Sequence, residues 1–115
     1  MLPRGIRVLE RGWLSANNVV LDGASGPVVV DSGYVIHAEQ TLSLIDAALG
    51  GRRVEWLVNT HCHSDHMGGN AAIRRRHACR VSVPVGESPF IARWDDEALL
   101  LSYADQRAER FEFDD

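Results

Sequence analysis

Short apolar runs separated by polar turns characterise the first third of the chain. Residues Ile6–Leu9 and 18–21 have the length and composition of short strands, and 28–30 is an unbroken run of valine. A β-branched run without polar positions is typical of a strand that is covered on both faces. Glycine and short polar residues over 22–26 predict a tight turn between the second and third runs. The pattern therefore predicts an N-terminal β meander.

The spacing of apolar positions changes after residue 37. Apolar side chains now recur every three or four residues, at Ala38, Leu42, Ile45 and Leu49. This period predicts an amphipathic helix, which the glycine pair at 50–51 would end. Residues 54–58 and 80–85 have the pattern of strands, and 71–77 has that of a second helix between them. Strands that alternate with helices pair in parallel through crossover connections. The predicted fold class is therefore α/β, a meander followed by strand–helix–strand units.

The last quarter of the chain predicts a third helix over 95–109. Asp95 suits the N-cap, and the acidic residues that follow it favour the positive end of the helix dipole. Beyond this helix, Phe111 and Phe113 alternate with a polar residue as at the start of a strand. A strand with no partner is not expected to close a β/α domain. We therefore expect residues 1–115 to be the N-terminal part of a single domain that is truncated at its C-terminus.

The composition excludes several classes of protein. Twelve basic and sixteen acidic side chains give a net charge of −4, so nucleic-acid binding is not expected, and the arginine run at 74–76 indicates a solvated helix face. Hydrophobic residues at 45% exclude wholesale disorder, and no apolar run reaches the roughly 18 residues that cross a membrane. The sequence after Met1 lacks the apolar core of a secretory signal, and two cysteines cannot form a disulfide framework. A cytoplasmic protein is expected.

Residues 59–70, NTHCHSDHMGGN, carry the candidate chemistry. Four potential metal ligands fall within six positions, namely His61, His63, Asp65 and His66. His61 and His63 lie two apart on an extended segment, so both project to one side and can hold one ion. Asp65 and His66 follow a bend and can face a second ion or orient a water molecule, and the double glycine after them allows a close turn. Imidazole and carboxylate ligands suit zinc, with iron or manganese as alternatives.

The stretch NTHCHSDHMGGN resembles the signature of the metallo-β-lactamase fold superfamily, and Asp31 in VVVDSG resembles an earlier motif of that family. The resemblance implies an αββα sandwich, of which this chain would carry the N-terminal half, around one or two metal ions, most often zinc. It implies that His61 and His63 bind the first metal and that Asp65 and His66 bind the second. Asp31 would lie behind residues 59–70, which we call the metal loop, and would orient the ligands in it.

Further ligands in this family come from the later half of the domain, and the chain offers no substitute for them. His37 is expected at the start of the first helix and His77 at an exposed helix end, so neither completes the set. Cys62 would point away from the histidines on either side of it and is expected to pack rather than to bind metal. The chain is thus expected to carry two ligands for each metal.

The function that the resemblance implies is hydrolysis of an ester, thioester, lactone or amide bond by a metal-activated water. Asp65 would be the catalytic residue, either as a ligand of the second metal or by orienting the water and moving its proton. The HxHxDH pattern is closer to the thioesterase and lactonase branches than to the commonest class of lactamases, which lacks a histidine at the position of His66. A small-molecule substrate is therefore expected, with no nucleic acid and no membrane as partner.

Three residues after the last predicted strand are candidates for a pocket wall. Phe90 and Trp94 could line it and Arg93 could contact an anionic group, although core packing and a solvated arginine fit the sequence equally well. Two other interpretations of the function remain open. Two half-domains could form a homodimer or self-associate through the exposed sheet. Alternatively, the histidines could form a zinc-binding module without catalysis.

Overall fold

The computed structural model of the chain describes residues 4–11, 16–100 and 108–115. In these ranges five strands form one mixed sheet whose spatial order follows the chain. The strands are β1 (Ile6–Leu9), β2 (Asn18–Gly23), β3 (Gly26–Val30), β4 (Trp56–Val58) and β5 (Arg80–Ser82). β1, β2 and β3 pair antiparallel, whereas β3, β4 and β5 pair parallel. The predicted meander and the predicted parallel pairing are both confirmed.

The helices lie between and after the parallel strands. They are α1 (Ala38–Leu49), α2 (Ser64–Met67), α3 (Asn70–His77), α4 (Ser88–Arg93) and α5 (Asp96–Leu99), with a 3-10 turn at Val35–His37 before α1. α1 has the predicted bounds, and Gly50 ends it in the left-handed conformation with a φ of 62°. α1 and α3 contact each other. In the part of the chain described, no helix is both long enough and apolar enough to cross a membrane.

The hydrophobic core lies between one face of the sheet and the helices α1 and α3. Its centre is a row of side chains in register across four strands, each 1% exposed or less: Val20, Val29, Leu57 and Val81. Ile45 of α1 and Ile73 of α3 belong to the same buried cluster. Full burial of an aliphatic side chain contributes roughly 1.5–3 kcal/mol, and a slip of one residue would turn the whole row to the other face. The row therefore fixes the register of the strands.

The opposite face of the sheet is also apolar but only partly covered. Leu21, Val28 and Val30 are half-buried, and Trp56 is 38% exposed. The expectation that the valine run of β3 is covered on both faces is therefore wrong. Side chains alternate along a strand, and in this run only Val29 points into the core.

The end of the chain differs most from its prediction. The helix predicted over 95–109 is wrong in the described part, because α5 ends at Leu99 and Leu100 is extended with φ −96° and ψ 144°. Residues 101–107 lie outside the described residues, and 108–115 are not helical. The sequence also misses α4, which precedes this region.

Two smaller predictions for the same region have different outcomes. Asp95 is the N-cap residue of α5, as predicted, and its carboxylate accepts the Ala98 N–H at 3.3 Å. The strand expected to start at 111–113 is not formed there. Instead the next residues pair with β5, since the Asp114 N–H donates to the Val81 carbonyl at 2.8 Å. That the chain is the N-terminal part of one domain stays a prediction.

Candidate metal centre

Two parallel strands end side by side, and the segments that follow them carry the predicted ligands. Asp31 follows β3 directly, and Thr60 and His61 begin two residues beyond the end of β4. The Asp31 N–H donates to the Val58 carbonyl at 2.8 Å, which continues the contact between the two strands past their ends. Because the carboxyl ends of parallel strands meet at the same edge of a sheet, these two segments lie next to each other.

Three of the predicted ligands, His61, Asp65 and His66, converge beyond these strand ends. One ligand atom from each lies within 4.8 Å of the other two. The ring centroids of His61 and His66 are 3.7 Å apart, and Asp65 Oδ2 lies 3.5 Å from His66 Nε2. Ligand atoms that bind a tetrahedral zinc at about 2.0–2.2 Å are roughly 3.3–3.6 Å from one another. The donor set and its spacing therefore fit a divalent metal ion.

The single turn of α2 explains why these three residues meet. The His63 carbonyl accepts the N–H groups of His66 and Met67 at 2.9 and 3.1 Å, which folds Asp65 and His66 back towards His61. His63 itself lies beside His61, with ring centroids 5.0 Å apart and the rings nearly perpendicular. It is outside the cluster of three. The assignment of two ligands to each of two ions stays a prediction.

Asp31 lies behind this cluster, where its buried carboxylate accepts three hydrogen bonds. Oδ1 accepts the Thr60 N–H at 2.9 Å, and Oδ2 accepts the Thr60 hydroxyl at 2.7 Å. Oδ2 also lies 2.9 Å from His66 Nδ1. With the proton of His66 on Nδ1, the Nε2 lone pair is left free on the side of Asp65. Thr60 was not among the predicted site residues; its place directly before the histidines is the signal that could have identified it.

The environment shifts the pKa values of two clustered histidines in opposite directions. Burial lowers the pKa of His61, and the neighbouring His66 and His63 lower it further. Burial also lowers the pKa of His66, but the hydrogen bond and charge of Asp31, together with the charge of Asp65, outweigh it and raise the pKa. Neutral imidazole is the form that binds a metal, so the lowered pKa of His61 favours metal binding and the raised pKa of His66 opposes it.

Cys62 packs in the core instead of facing the cluster. The residue is 1% exposed and belongs to the same buried cluster as Leu57 and Met67. Burial raises the pKa of its thiol well above the usual range, and the carboxylate of Glu87 raises it further. A thiol that stays protonated at neutral pH is a poor metal ligand.

The two histidines outside the motif lie at helix ends. His37 is the N-cap residue of α1 and makes no side-chain capping bond. The expectation that His77 is exposed is wrong, because this side chain at the end of α3 is only 5% exposed. Its Nδ1 accepts the Val54 N–H at 3.0 Å, which ties the end of α3 to the segment before β4. Burial lowers the pKa of His77.

The double glycine after His66 is a point of close backbone approach. A Cβ at Gly68 would lie 2.4 Å from the Val35 nitrogen and 2.8 Å from the Gly33 carbonyl oxygen. A Cβ at Gly69 would lie 2.5 Å from the Ser32 carbonyl oxygen. The close turn expected from the sequence therefore packs the metal loop onto the segment that follows β3.

The three candidate pocket residues lie on and directly after α4. Phe90 and Trp94 pack against the hydrophobic core, and the Trp94 ring meets Phe111 edge-on at 5.9 Å. Arg93 lies over the Phe90 ring and pairs with Asp95 at 3.1 Å. These contacts are packing and surface ion pairing, so a role in a pocket stays a prediction.

Comparison with known proteins identifies relatives of this chain. Residues 11–107 match the family model of the metallo-beta-lactamase superfamily. A protein named hydroxyacylglutathione hydrolase from Anaeromyxobacter dehalogenans is 32% identical over 75 residues, which are 65% of this chain and 28% of that protein. A protein of the same name from Nitrobacter winogradskyi is 53% identical over 36 residues, which are 31% of this chain and 14% of that protein.

Solved structures give the same relationship. A metallo-beta-lactamase from Cronobacter sakazakii with a mutated HARLDQ motif superposes with a TM-score of 0.74 at 25% identity, over 96% of this chain and 43% of that one. The Rm3 metallo-beta-lactamase superposes with a TM-score of 0.64 at 27% identity, over 76% of this chain and 32% of that one. The chain thus spans less than half the length of these relatives. The family model covers most of its residues, the predicted resemblance is confirmed, and the chain belongs to the metallo-β-lactamase superfamily.

Proposed function

We propose that this chain is part of a metal-dependent hydrolase and contributes His61, His63, Asp65 and His66 to a site for one or two metal ions. Zinc is the metal that we put first, because imidazole and carboxylate donors suit it, and iron or manganese are the alternatives. The remaining ligands would come from residues outside this chain. The family supports a hydrolase in general, and both curated relatives are named as hydrolases.

The observation that carries the proposal is the orientation of the His66 ring. Its Nδ1 lies 2.9 Å from Asp31, while its Nε2 faces Asp65 at 3.5 Å. A buried carboxylate that holds the far side of an imidazole is the arrangement that orients histidine ligands in metal sites. An accidental group of surface histidines would not need such a partner behind it.

Each residue has a distinct role in the proposed reaction. A metal bound here would lower the pKa of a water towards about 7 and so supply hydroxide at neutral pH. His61 and His66 present neutral nitrogens to it, and Asp31 holds the tautomer of His66. Asp65 is the proposed catalytic residue, because its Oδ2 is close enough to His66 Nε2 to share the ion or to accept a proton from the attacking water.

The bond that we put first is a thioester. The name of both curated relatives refers to an acylglutathione, in which the acyl group is joined through sulfur. Esters and lactones present the same carbonyl chemistry. Hydrolysis of an amide, as in a β-lactam, is the second candidate, and the similarity to solved metallo-beta-lactamases favours it. A small molecule is the proposed substrate in every case.

Cobalt binding tests the proposal, since Co²⁺ takes the same ligands as zinc and has visible absorption bands. We expect the chain to bind Co²⁺ and the variants His61→Gln and Asp65→Asn to bind it about tenfold more weakly or worse. The control His37→Gln removes a histidine outside the cluster and should bind as the unmodified chain does. Equal binding by all four proteins, or none by the unmodified chain, contradicts the proposal. In a protein that also contains the remaining ligands, hydrolysis of a glutathione thioester and of a chromogenic β-lactam then ranks the two candidate substrates.

The partly covered face of the sheet supports a proposal about partners. Leu21, Val28, Val30 and Trp56 present adjacent apolar side chains there. We propose that the isolated chain self-associates through this face, in the simplest case as a homodimer. Both cysteines are free and buried, which suits a reducing compartment, and we propose a cytoplasmic location.

A further inference from the structure

A cluster of three buried polar side chains lies under the metal loop and is separate from the ligands. Ser32 and Asn70 are fully buried and Asn59 is 4% exposed. The Asn70 carbonyl oxygen accepts the Ser32 hydroxyl at 2.7 Å and the Asn59 amide at 3.2 Å. The Asn70 amide donates in turn to the Asn59 carbonyl oxygen at 2.6 Å. We call these three residues the Ser32–Asn59–Asn70 cluster.

Each member belongs to a different segment of the site. Ser32 follows Asp31 after β3, Asn59 lies between β4 and the histidines, and Asn70 is the first residue of α3. An asparagine at a helix start often caps the helix, but the capping position of α3 is Gly69 and no side chain caps it. The amide of Asn70 is directed to the two neighbouring segments instead. It therefore joins α3 to the segment that carries Asp31 and to the segment that leads into the candidate ligands.

Ser32 transmits this connection to His66. The Ser32 N–H donates to the His66 carbonyl at 2.7 Å, and its hydroxyl lies 3.3 Å from the same oxygen. The hydroxyl also accepts the Gly69 N–H at 3.0 Å. The backbone of His66 is thus fixed from the Ser32 side, while Asp31, the residue before Ser32, fixes its ring. A shift of Ser32 would move both anchors of His66 together.

We propose that the Ser32–Asn59–Asn70 cluster positions His66 for metal binding, with Asn70 as its central residue. This inference rests on the proposed metal site. Buried polar groups are expensive to leave unpaired, so a cluster whose members satisfy one another holds a single arrangement. The three residues are positioning residues, since they act on the metal through the backbone and ring of His66.

Two variants probe the cluster, and a third is the matched control. Ser32→Ala removes the hydroxyl that reaches Asn70, and Asn70→Asp keeps an acceptor for Ser32 but loses the donor to Asn59. Ile45→Val removes one methylene group from the core on α1, which destabilises a protein by roughly 0.5–1.5 kcal/mol. It therefore lowers stability without touching the cluster. Urea unfolding of all three places them on a common stability scale.

The first readout is the binding of Co²⁺ and its visible spectrum. We expect the Kd of Ser32→Ala and Asn70→Asp to rise about tenfold or more with altered bands, while Ile45→Val stays within about twofold of the unmodified chain. If the cluster acted only through stability, Co²⁺ affinity would fall in proportion to the stability lost. Ile45→Val would then show the same proportion between lost stability and lost affinity. Unchanged affinity and spectrum in both cluster variants overturn the inference.

The second readout needs no metal. Nitrogen-15 spectra of the imidazoles in the metal-free chain report whether His66 carries its proton on Nδ1. We expect the unmodified chain and Ile45→Val to hold that tautomer, and both cluster variants to lose it in part. If the unmodified chain binds no Co²⁺, the proposed function fails, and the tautomer alone then decides the inference. A His66 signal that is the same in all proteins contradicts it.

Discussion

Asp31→Asn separates the stability of the fold from the chemistry of the candidate metal centre. Asparagine has the shape of aspartate, and like aspartate it tolerates the left-handed backbone that Asp31 adopts with a φ of 62°. The substitution removes the negative charge and one of the two acceptor oxygens. If the remaining oxygen keeps the Thr60 N–H, the new amide group faces His66 Nδ1 as a donor. The ring of His66 must then carry its proton on Nε2, which blocks the atom that faces Asp65.

The size of the effect follows from the hydrogen bond that is lost. A hydrogen bond to a charged group contributes about 1.5–3 kcal/mol. Since about 1.4 kcal/mol corresponds to a factor of ten, the affinity for metal should fall roughly tenfold to a hundredfold. Thr60 keeps at least one of its two bonds to residue 31, so the folded state should persist.

A competition titration of Zn²⁺ against a chromogenic chelator measures this change, and urea unfolding measures stability in parallel. Asp46→Asn is the matched control, because it removes a carboxylate of α1 that pairs with Arg76 at the surface. We expect the control to bind zinc within about twofold of the unmodified chain. If folded Asp31→Asn binds zinc as tightly as the control does, Asp31 does not orient His66 and the reasoning is refuted.

Three further predictions concern the stability of the fold and its self-association. Gly68→Ala should destabilise the chain by at least about 1–3 kcal/mol in urea unfolding, because its Cβ would meet backbone atoms at 2.4–2.8 Å, whereas Gly86→Ala, with open space around it, should be close to neutral. Because burial lowers the folded-state pKa of His77, the stability that this residue contributes is complete above about pH 6.5 and is lost as the pH falls towards the folded pKa. Between pH 7.5 and pH 5.5 the free energy of unfolding should therefore fall less for His77→Asn than for the unmodified chain. Equal decreases in both proteins would contradict this. Sedimentation at micromolar concentration should find self-association that Val28→Lys weakens, and a monomer in both cases would exclude it.

The elements that the sequence predicts correctly are those with a strong local pattern. α1 has a clear helical period and a glycine at its end, and both bounds agree with the structure. The alternation of strands and helices predicts parallel pairing because few other connections are compatible with it. For the same reason the ends of β3 and β4 meet, and residues about thirty positions apart, such as Asp31 and Thr60, come into contact.

The features that the sequence misses depend on tertiary contacts. The acidic and apolar pattern after Asp95 predicts a helix that continues to residue 109, but the chain leaves the helical conformation at Leu100, after one turn. Trp94 ends α4 in the left-handed conformation, which is uncommon for a bulky residue and has no local signal. His77 looks exposed because it follows three arginines, yet its ring is buried where it accepts the Val54 N–H. Local patterns report propensity, whereas burial of a single ring is decided by the segment that packs on it.

The grouping of the candidate ligands shows the same difference between local pattern and tertiary contact. Residues two apart on an extended segment share a side, which favours pairing His61 with His63. The turn of α2 instead brings Asp65 and His66 back to His61, because the carbonyl of His63 binds the N–H groups that follow. The motif therefore marks the candidate ligands, which stay a prediction, whereas their spatial grouping depends on a single turn of helix.

Asp31 connects the stability of this fold with its chemistry. Aspartate tolerates the left-handed region better than most residues do, but glycine adopts it at no steric cost. Backbone contacts hold the residue there, since its N–H binds Val58 and its carbonyl accepts the amide of the buried Asn18 at 2.7 Å. Glycine would keep both of these bonds but would leave Thr60 and the Nδ1 of His66 without their acceptor. An aspartate at this position is therefore explained by the bonds that its carboxylate makes to Thr60 and His66 behind the candidate metal centre, which glycine would lose.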